Sequence, residues 1–239
     1  MKNLLATILV TLSSAALLPP AMAQERAVPA GTAKASAALD LTGYWVAFVT
    51  EDWRFRMVTP RKGDFQAVPM TEEARKIANA WDPAADEASG NQCTAYGAAA
   101  IMRAAARFHV TWQDDNTLRV DSDWGAQTRL FHFNSPPLSL GERTWQGYSA
   151  AQWQRPGSLK VATTNLRSGY LRRNGVPYSE NAAVTEYFDV APLPNGGQVL
   201  LVTTIVDDPQ YLLLPFIVSS QFKKEADGSK WDPTPCTAK

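Results

Sequence analysis

Apolar and polar residues alternate along most of this chain. The alternation marks strands at Tyr44–Thr50, Trp53–Thr59, Arg107–Gln113, Thr117–Asp121 and Gln127–Phe133, and again at Tyr148–Gln154, Leu159–Arg167, Ala182–Asp189, Gln198–Val206 and Phe216–Phe222. Successive side chains of a strand face opposite sides, so a half-buried strand is written in period two. Between the strands stand "QDDNT", "DWGA", "RPGS", "RRNGVP", "LPNGG" and "VDDPQ", with Gly, Pro, Asn or Asp where the chain must reverse. Many short strands with brief polar connectors predict an antiparallel barrel or sandwich, not a parallel sheet with crossover helices. One helix stands out. Thr71 caps it, Glu72 and Glu73 suit its positive end, Ala74, Ile77, Ala78 and Trp81 form its apolar stripe, and Asp82-Pro83 stops it. The alanine-rich segment Cys93–Ala106 contains Gly97 and no clear stripe, and reads as either a second short helix or a packed loop.

Pairing the strands tests which faces match. A turn at Asp114-Asp115-Asn116 sets Trp112 against Leu118, Val110 against Val120, Thr111 against Arg119 and His109 against Asp121. Apolar then meets apolar and polar meets polar, which is how register is specified. Placing Leu118 opposite Leu130 in the next hairpin puts His132 on the apolar face. Asn174-Gly175 is the strongest hairpin signal, since both central positions of its favoured turn must accept positive φ. Carried outward from there, the register sets Val161 against Phe188, Thr163 against Glu186 and Asn165 against Val184. Glu186 thereby shares a face with Val161, Val184 and Phe188, an odd place for a carboxylate. In "VTEDWRFRMVTP" (Val49–Pro60), Trp53, Phe55 and Met57 fall on one side of a strand, and Arg54 and Arg56 on the other. The two arginines therefore face either water or a lumen.

The first residues supply an address. Lys2 is basic, Leu4–Leu18 form a short apolar stretch, and Ala21 and Ala23 are small. That is the layout of a secretory signal peptide, residues 1–23, cleaved after Ala23. The apolar stretch is shorter than the ~20 residues that span a bilayer, so no membrane span is expected after cleavage. Residues 24–39 read as a flexible lead-in and 40–239 as one domain, periplasmic or secreted. The 23 basic and 23 acidic side chains balance, and no basic run is interleaved with stacking aromatics, so nucleic acid is not an expected partner. Cys93 and Cys236 are the two cysteines. In an oxidising compartment they are expected to pair as a disulfide and pin the C-terminal tail; two free thiols, one a nucleophile, are the alternative.

Chemistry enters by elimination. Two histidines on opposite faces, and no cysteine or histidine pair at ligand spacing, predict no transition-metal site. Asp82, Asp86 and Glu87 lack the spacing of the regular calcium-binding loop and read as a solvated acidic loop. There is no G-x-S-x-G, phosphate loop or dinucleotide fingerprint, and no cofactor is expected. His109 beside Asp121 is either an oriented base or one end of a cross-strand hydrogen bond. Glu186 suits proton transfer if desolvated and unpaired, and a structural role if it meets a buried arginine. Arg54 and Arg56 are candidates for that pair, or for fork-like binding of a carboxylate ligand. Tyr178 and Tyr187, with Tyr170, are candidate donors. Trp53 and Trp112, two of eight tryptophans, are candidate walls of an aromatic-lined pocket.

Gly43-Tyr44-Trp45, at the head of the first strand, is similar to the G-x-W signature of lipocalins, whose tryptophan closes one barrel end. Thr185-Glu186-Tyr187 resembles their T-D-Y motif. The late arginine that packs on that tryptophan in lipocalins has no counterpart in the pattern, and the chain is longer, with about ten candidate strands. From about Leu41 to Cys236, "GERTWQGYSAAQW", "GSLKVATTN", "NGVPYSENAAVTEYF" and "VTTIVDDPQYLLLPF" resemble a widespread family of exported bacterial proteins of unsettled function with lipocalin-like β structure. That resemblance implies a secreted soluble domain and assigns no catalytic residue.

Together these readings predict a mainly β protein, an antiparallel up-and-down barrel of calycin type with about 8–10 strands and one or two short helices. Its expected partner is a small molecule, an aromatic or amphipathic carboxylate held in an arginine-containing cavity. Two forms of that function stay open. One is a cofactor-independent lyase or decarboxylase, in which Arg54 and Arg56 anchor the anion, Glu186 moves a proton, Tyr178 or Tyr187 orients the substrate and His109 is a further candidate base. The other is a carrier that uses the same cavity without turnover.

Overall fold

The alternating segments close on themselves into a ring. The computed structural model describes residues 31–134, 136, 139–194 and 196–238; the expected signal peptide, its cleavage point and the start of the lead-in lie outside the described residues. The strands are β1 (Gly43–Ala47), β2 (Arg107–Asp114), β3 (Thr117–Ser122), β4 (Gln127–His132), β5 (Tyr148–Gln154), β6 (Ser158–Thr164), β7 (Gly169–Arg172), β8 (Val176–Tyr178), β9 (Ala183–Pro192), β10 (Gln198–Asp207) and β11 (Phe216–Lys224). Nine of them hydrogen-bond in a closed barrel, in the circular order β1-β2-β3-β4-β5-β6-β9-β10-β11, while β7 and β8 form a separate hairpin.

A ring of nine strands cannot alternate direction all the way round. One neighbouring pair must run parallel, and that pair is β4 and β5, joined through Phe131↔Ser149 and His132↔Ala150. Parallel neighbours need a crossover of about a dozen residues or more, which residues 133–147 provide. The expected all-antiparallel course is corrected at this one seam.

The β2–β3 hairpin pairs Trp112 with Leu118, Val110 with Val120, Thr111 with Arg119 and His109 with Asp121, as the alternation dictates. The next hairpin differs by one residue: Leu118 faces Phe131, and Arg119 faces Leu130. A one-residue slip exchanges the faces of a strand. Arg129 and Phe131 are therefore buried, and His132 stacks instead on Tyr148 at 4.9 Å. Between β6 and β9 the difference is two residues, with Val161 opposite Glu186 and Leu159 opposite Phe188. Two residues preserve the face, so Glu186 still lies among Val161, Val184 and Phe188, all buried. The offset arises because Asn174-Gly175 closes the short β7–β8 hairpin, not the whole β6–β9 ladder. Gly175 takes φ 82°, while the buried Asn174 amide donates to the carbonyls of Arg61 and Asp64.

The expected strand Trp53–Thr59 is instead the start of a helical turn, α1 (Trp53–Arg56). Asp52 adopts a left-handed φ of 52°, and the Arg56 N–H returns to the Asp52 carbonyl at 3.1 Å. The turn buries the adjacent Phe55 and Arg56 and exposes Trp53 and Met57, a pattern that period-two alternation cannot produce. Helix α2 (Glu72–Ala80) carries the expected cap, Thr71 Oγ1 accepting from Ala74 N–H at 3.3 Å, and buries Ala74 and Ala78. Asp82 then caps a further short helix, α3 (Pro83–Ala88). The alanine-rich segment folds as two buried 3-10 turns, Thr94–Tyr96 and Ile101–Arg103. Cys93 and Cys236 form the expected disulfide. No helix among the described residues is long and apolar enough to cross a membrane.

Side chains fill the barrel in three levels. One apolar cluster gathers Trp45, Phe108, Leu118, Phe131, Phe188 and Phe222, and a second gathers Met70, Leu171, Val184, Val206 and Phe216. Between them the inward positions turn polar: Arg129, Ser149, Thr163, Glu186, Thr204 and Ser220 are all buried. Trp45 donates through Nε1 to the Leu41 carbonyl at 2.8 Å. The ammonium of Lys224 lies 5.1 Å from its ring centroid, so a lysine packs on this tryptophan.

Candidate functional site

Four arginines from three separate segments meet beside the start of β11. Arg56 arrives on α1, Arg103 on the second 3-10 turn, and Arg172 and Arg173 at the end of β7; with Phe55, Leu171 and Trp124 they line a cleft of about 20 Å³. Such a volume admits about one water-sized atom, so the groups around it are closely opposed. Each guanidinium is held from behind. Arg56 Nε donates to the Arg103 carbonyl at 2.9 Å, Arg103 Nη1 to the Leu171 carbonyl at 3.4 Å, Arg172 Nη1 to the Gln66 carbonyl at 2.7 Å, and Arg173 Nη2 to the Arg56 carbonyl at 3.4 Å. Aromatic faces carry the flat cations: Arg172 lies 4.0 Å over Phe55 and Arg103 5.3 Å over Phe216, while Arg173 lies 5.0 Å over Trp124.

The site carries more positive charge than its surroundings compensate. Arg56, Arg103 and Arg172 are at most 5% exposed, yet Arg56 Nη1 and Nη2, Arg103 Nη2 and Arg172 Nε have no hydrogen-bond partner. Asp52 stands 3.6 Å from Arg103 Nη2 and is itself nearly half exposed. Burial, followed by the charge of Arg172, pushes Arg103 down to about 10. Burial does the same to Arg172, also to about 10, and lowers Arg56. Buried donors without acceptors are costly, at about 1–3 kcal/mol each and more when charged. A carboxylate offers two oxygens with about four lone-pair sites, as many acceptors as there are unpartnered nitrogens, and a charge of opposite sign.

Of the arginines expected here, Arg56 enters the cleft. Arg54 does not: it pairs with Asp64 on the surface, half exposed. Arg103, Arg172 and Arg173 were not singled out by alternation, because none lies in an alternating run. A different signal marks Arg103, the lone charge in the apolar stretch Ala98–Ala106.

Glu186 meets neither Arg54 nor Arg56. It lies in the barrel's polar level, where Arg129 Nη1 donates to Oε1 at 3.1 Å and Nη2 to Oε2 at 2.6 Å. Arg129 Nη2 also reaches Thr163 Oγ1 at 3.3 Å, and Thr163 shares a hydrogen bond with Ser149. With both oxygens engaged by one guanidinium, Glu186 is built as half of a buried ion pair.

The remaining candidates are scattered. His109 stacks on Tyr44 at 4.1 Å, opposite Asp121, whose carboxylate accepts from Arg119 and Thr128. Tyr187 is half-buried on β9 with the Lys160 ammonium 6.0 Å from its ring. Trp112 packs on Phe133, and Trp53 is 66% exposed. Tyr178 is wholly buried with an unpartnered hydroxyl, in a different cleft from the arginines. The three acids of the loop are used locally: Asp82 caps α3, Asp86 accepts from Tyr170, and Glu87 accepts from the Ala238 N–H. Set beside known protein families and curated proteins, the chain matches none of them.

Proposed function

We propose that this chain is an exported, calycin-type β-barrel protein that binds a small aromatic or amphipathic carboxylate without turning it over. The observation that carries this reading is the set of four buried guanidinium nitrogens without hydrogen-bond partners on three arginines that line one cleft. Binding a carboxylate there supplies the acceptors and negative charge that the fold withholds; because the cleft admits only about one water-sized atom, α1 and the β7–β8 hairpin must part to admit the ligand, with Phe55 and Trp124 at its walls. Carrier function is favoured over lyase chemistry because Glu186, the proton-transfer candidate, is committed to Arg129. The Cys93–Cys236 disulfide supports an oxidising compartment. The barrel, with Lys224 packed on Trp45, supports the lipocalin-like reading.

Calorimetric titration tests the proposal with benzoate, phenylacetate and a short-chain fatty acid, each beside its uncharged amide. The acids should saturate one site and the amides should not. Equal binding of acids and amides, or of neither, rejects an arginine-held carboxylate. Conversion of any of these acids on prolonged incubation would reject the carrier form.

A further inference from the structure

A second cleft, of about 220 Å³, shares no lining residue with the arginine cleft and is walled in part by Gly169, Tyr170, Pro177 and Tyr178 of the β7–β8 hairpin. Asp86, Trp145, Arg167, Tyr170, Tyr178 and Tyr211 line it. We propose that it binds one neutral sugar ring.

The central feature is the Tyr178 hydroxyl. Tyr178 is 0% exposed, and its Oη has no hydrogen-bond partner. Glycine lets this oxygen sit close against the backbone at the wall of the cleft: a Cβ at Gly97 would stand 2.5 Å from it, and one at Gly169 would stand 2.6 Å from it. A buried hydroxyl normally finds a partner. Here it borders a cleft, where a ligand group able both to accept and to donate would satisfy it.

The rest of the lining narrows the ligand class. Asp86 accepts from Tyr170 Oη at 3.1 Å and retains acceptor capacity. Arg167 lies over Trp145 at 4.6 Å and donates through Nη2 to Asn91 Oδ1 at 3.1 Å, which leaves its other N–H groups as donors. One acid and one base give the cleft no net charge, so it does not select an ion. Trp145, Tyr170 and Tyr211 supply apolar ring surface between these polar groups. A sugar ring combines the same features in reverse, with apolar C–H faces and a rim of hydroxyls that donate and accept. The volume is below the ~300–1,000 Å³ of sites for drug-sized ligands, which fits a single ring.

Saturation-transfer NMR and calorimetry on the mature chain, with glucose, galactose, mannose and N-acetylglucosamine, test the proposal. At least one should bind saturably, and Tyr178→Phe should weaken it by about tenfold, the loss expected for one good hydrogen bond. Because the phenol has no protein partner, that variant should melt where the parent does. If Tyr178→Phe does not fold, Asp86→Asn on the surface helix α3 provides the second measurement and should weaken sugar binding several-fold. Arg103→Met, which removes a carboxylate-binding group, should leave sugar binding intact, so the two sites succeed or fail independently. Absence of saturable binding by every sugar overturns the proposal. So does unchanged affinity in the Tyr178 or Asp86 variant, or preferential binding of a zwitterionic amino acid offered as a control.

Discussion

Arg129 and Glu186 join strands β4 and β9 across the barrel interior through two parallel hydrogen bonds, with side chains 2% and 0% exposed. The pair lies just below the parallel seam, where β4 and β5 share only two paired positions. Its Thr163–Ser149 extension reaches β6 and β5, so side chains link four strands where the backbone ladder is short.

Breaking this pair from one side leaves a buried charge alone, which costs about 3–5 kcal/mol. Glu186→Gln should therefore lower stability by that amount in urea denaturation. The double change Arg129→Met/Glu186→Leu removes both charges and should recover most of the loss. A Glu186→Gln chain as stable as the parent would show that the pair is not what holds the seam.

How much of this was legible in the sequence depends on which face-fixing signal each segment carried. The β2–β3 register followed from apolar matching because both strands alternate cleanly. Glu186 was placed correctly in the interior despite a two-residue error, since an even slip keeps the face. Arg129 was hidden by the odd slip in the next hairpin: Leu130 and Phe131 are both apolar matches for Leu118, and only the second, the one the fold uses, turns Arg129 inward opposite Val120. The arginine cleft was harder still. It is assembled from a helical turn, a 3-10 turn and a hairpin end, none of which has a periodic pattern, and the turn at Trp53–Arg56 imitates a strand over four residues.

In the cleft, stability and binding should oppose each other. Arg103 is buried beside Arg172, with Asp52 at 3.6 Å as its counter-charge. Arg103→Met keeps most of the packing volume and removes a buried cation that the half-exposed Asp52 offsets only in part, so the unliganded protein should be unchanged or up to about 3 kcal/mol more stable. The same variant should lose most of its affinity for benzoate. Calorimetry and urea melts on one preparation read both. A variant that is strongly destabilised yet still binds would contradict the assignment.

The pH dependence follows from the same charges. Arg103 falls from the usual guanidinium range to about 10 in the folded chain, through burial first and then the Arg172 charge. Below about pH 10 both folded and unfolded chains hold this proton, and the destabilisation is fully present. Above it the folded chain releases the proton while the unfolded chain keeps it, so this group's contribution rises with pH. The stability difference between Arg103→Met and the parent should thus be constant from pH 7 to 9 and narrow above 10. A difference that widens there would mean the charge is favourable in the fold.

Gly175 positions the arginine-bearing hairpin against α2. It takes φ 82°, and a Cβ there would overlap the Cβ and Cγ of Trp81. The left-handed backbone alone costs a non-glycine residue about 1–2 kcal/mol, and Trp81 must also move. Gly175→Ala should destabilise by more than that backbone cost and shift Arg172 and Arg173, weakening carboxylate binding along with stability. Retained affinity in a destabilised Gly175→Ala chain would show that the hairpin tip does not set the cleft.

The disulfide gives the last test. Cys93 and Cys236 are 143 residues apart, so the bond restricts most of the unfolded chain and is worth about 5 kcal/mol by loop entropy. It also holds structure near the arginines: the tail donates from Thr234 N–H to the Asp123 carbonyl at 2.7 Å, and Cys93 precedes Tyr96, which packs on Trp124 at 3.9 Å beneath Arg173. Replacing both cysteines by alanine should lower the urea midpoint substantially. The loss should come mainly through the unfolded state, with only a modest drop in benzoate affinity. Because removing a crosslink exposes more of the denatured chain, the slope of free energy against urea should rise slightly. An unchanged midpoint would mean that contacts along the tail, not the covalent loop, keep this end of the barrel closed.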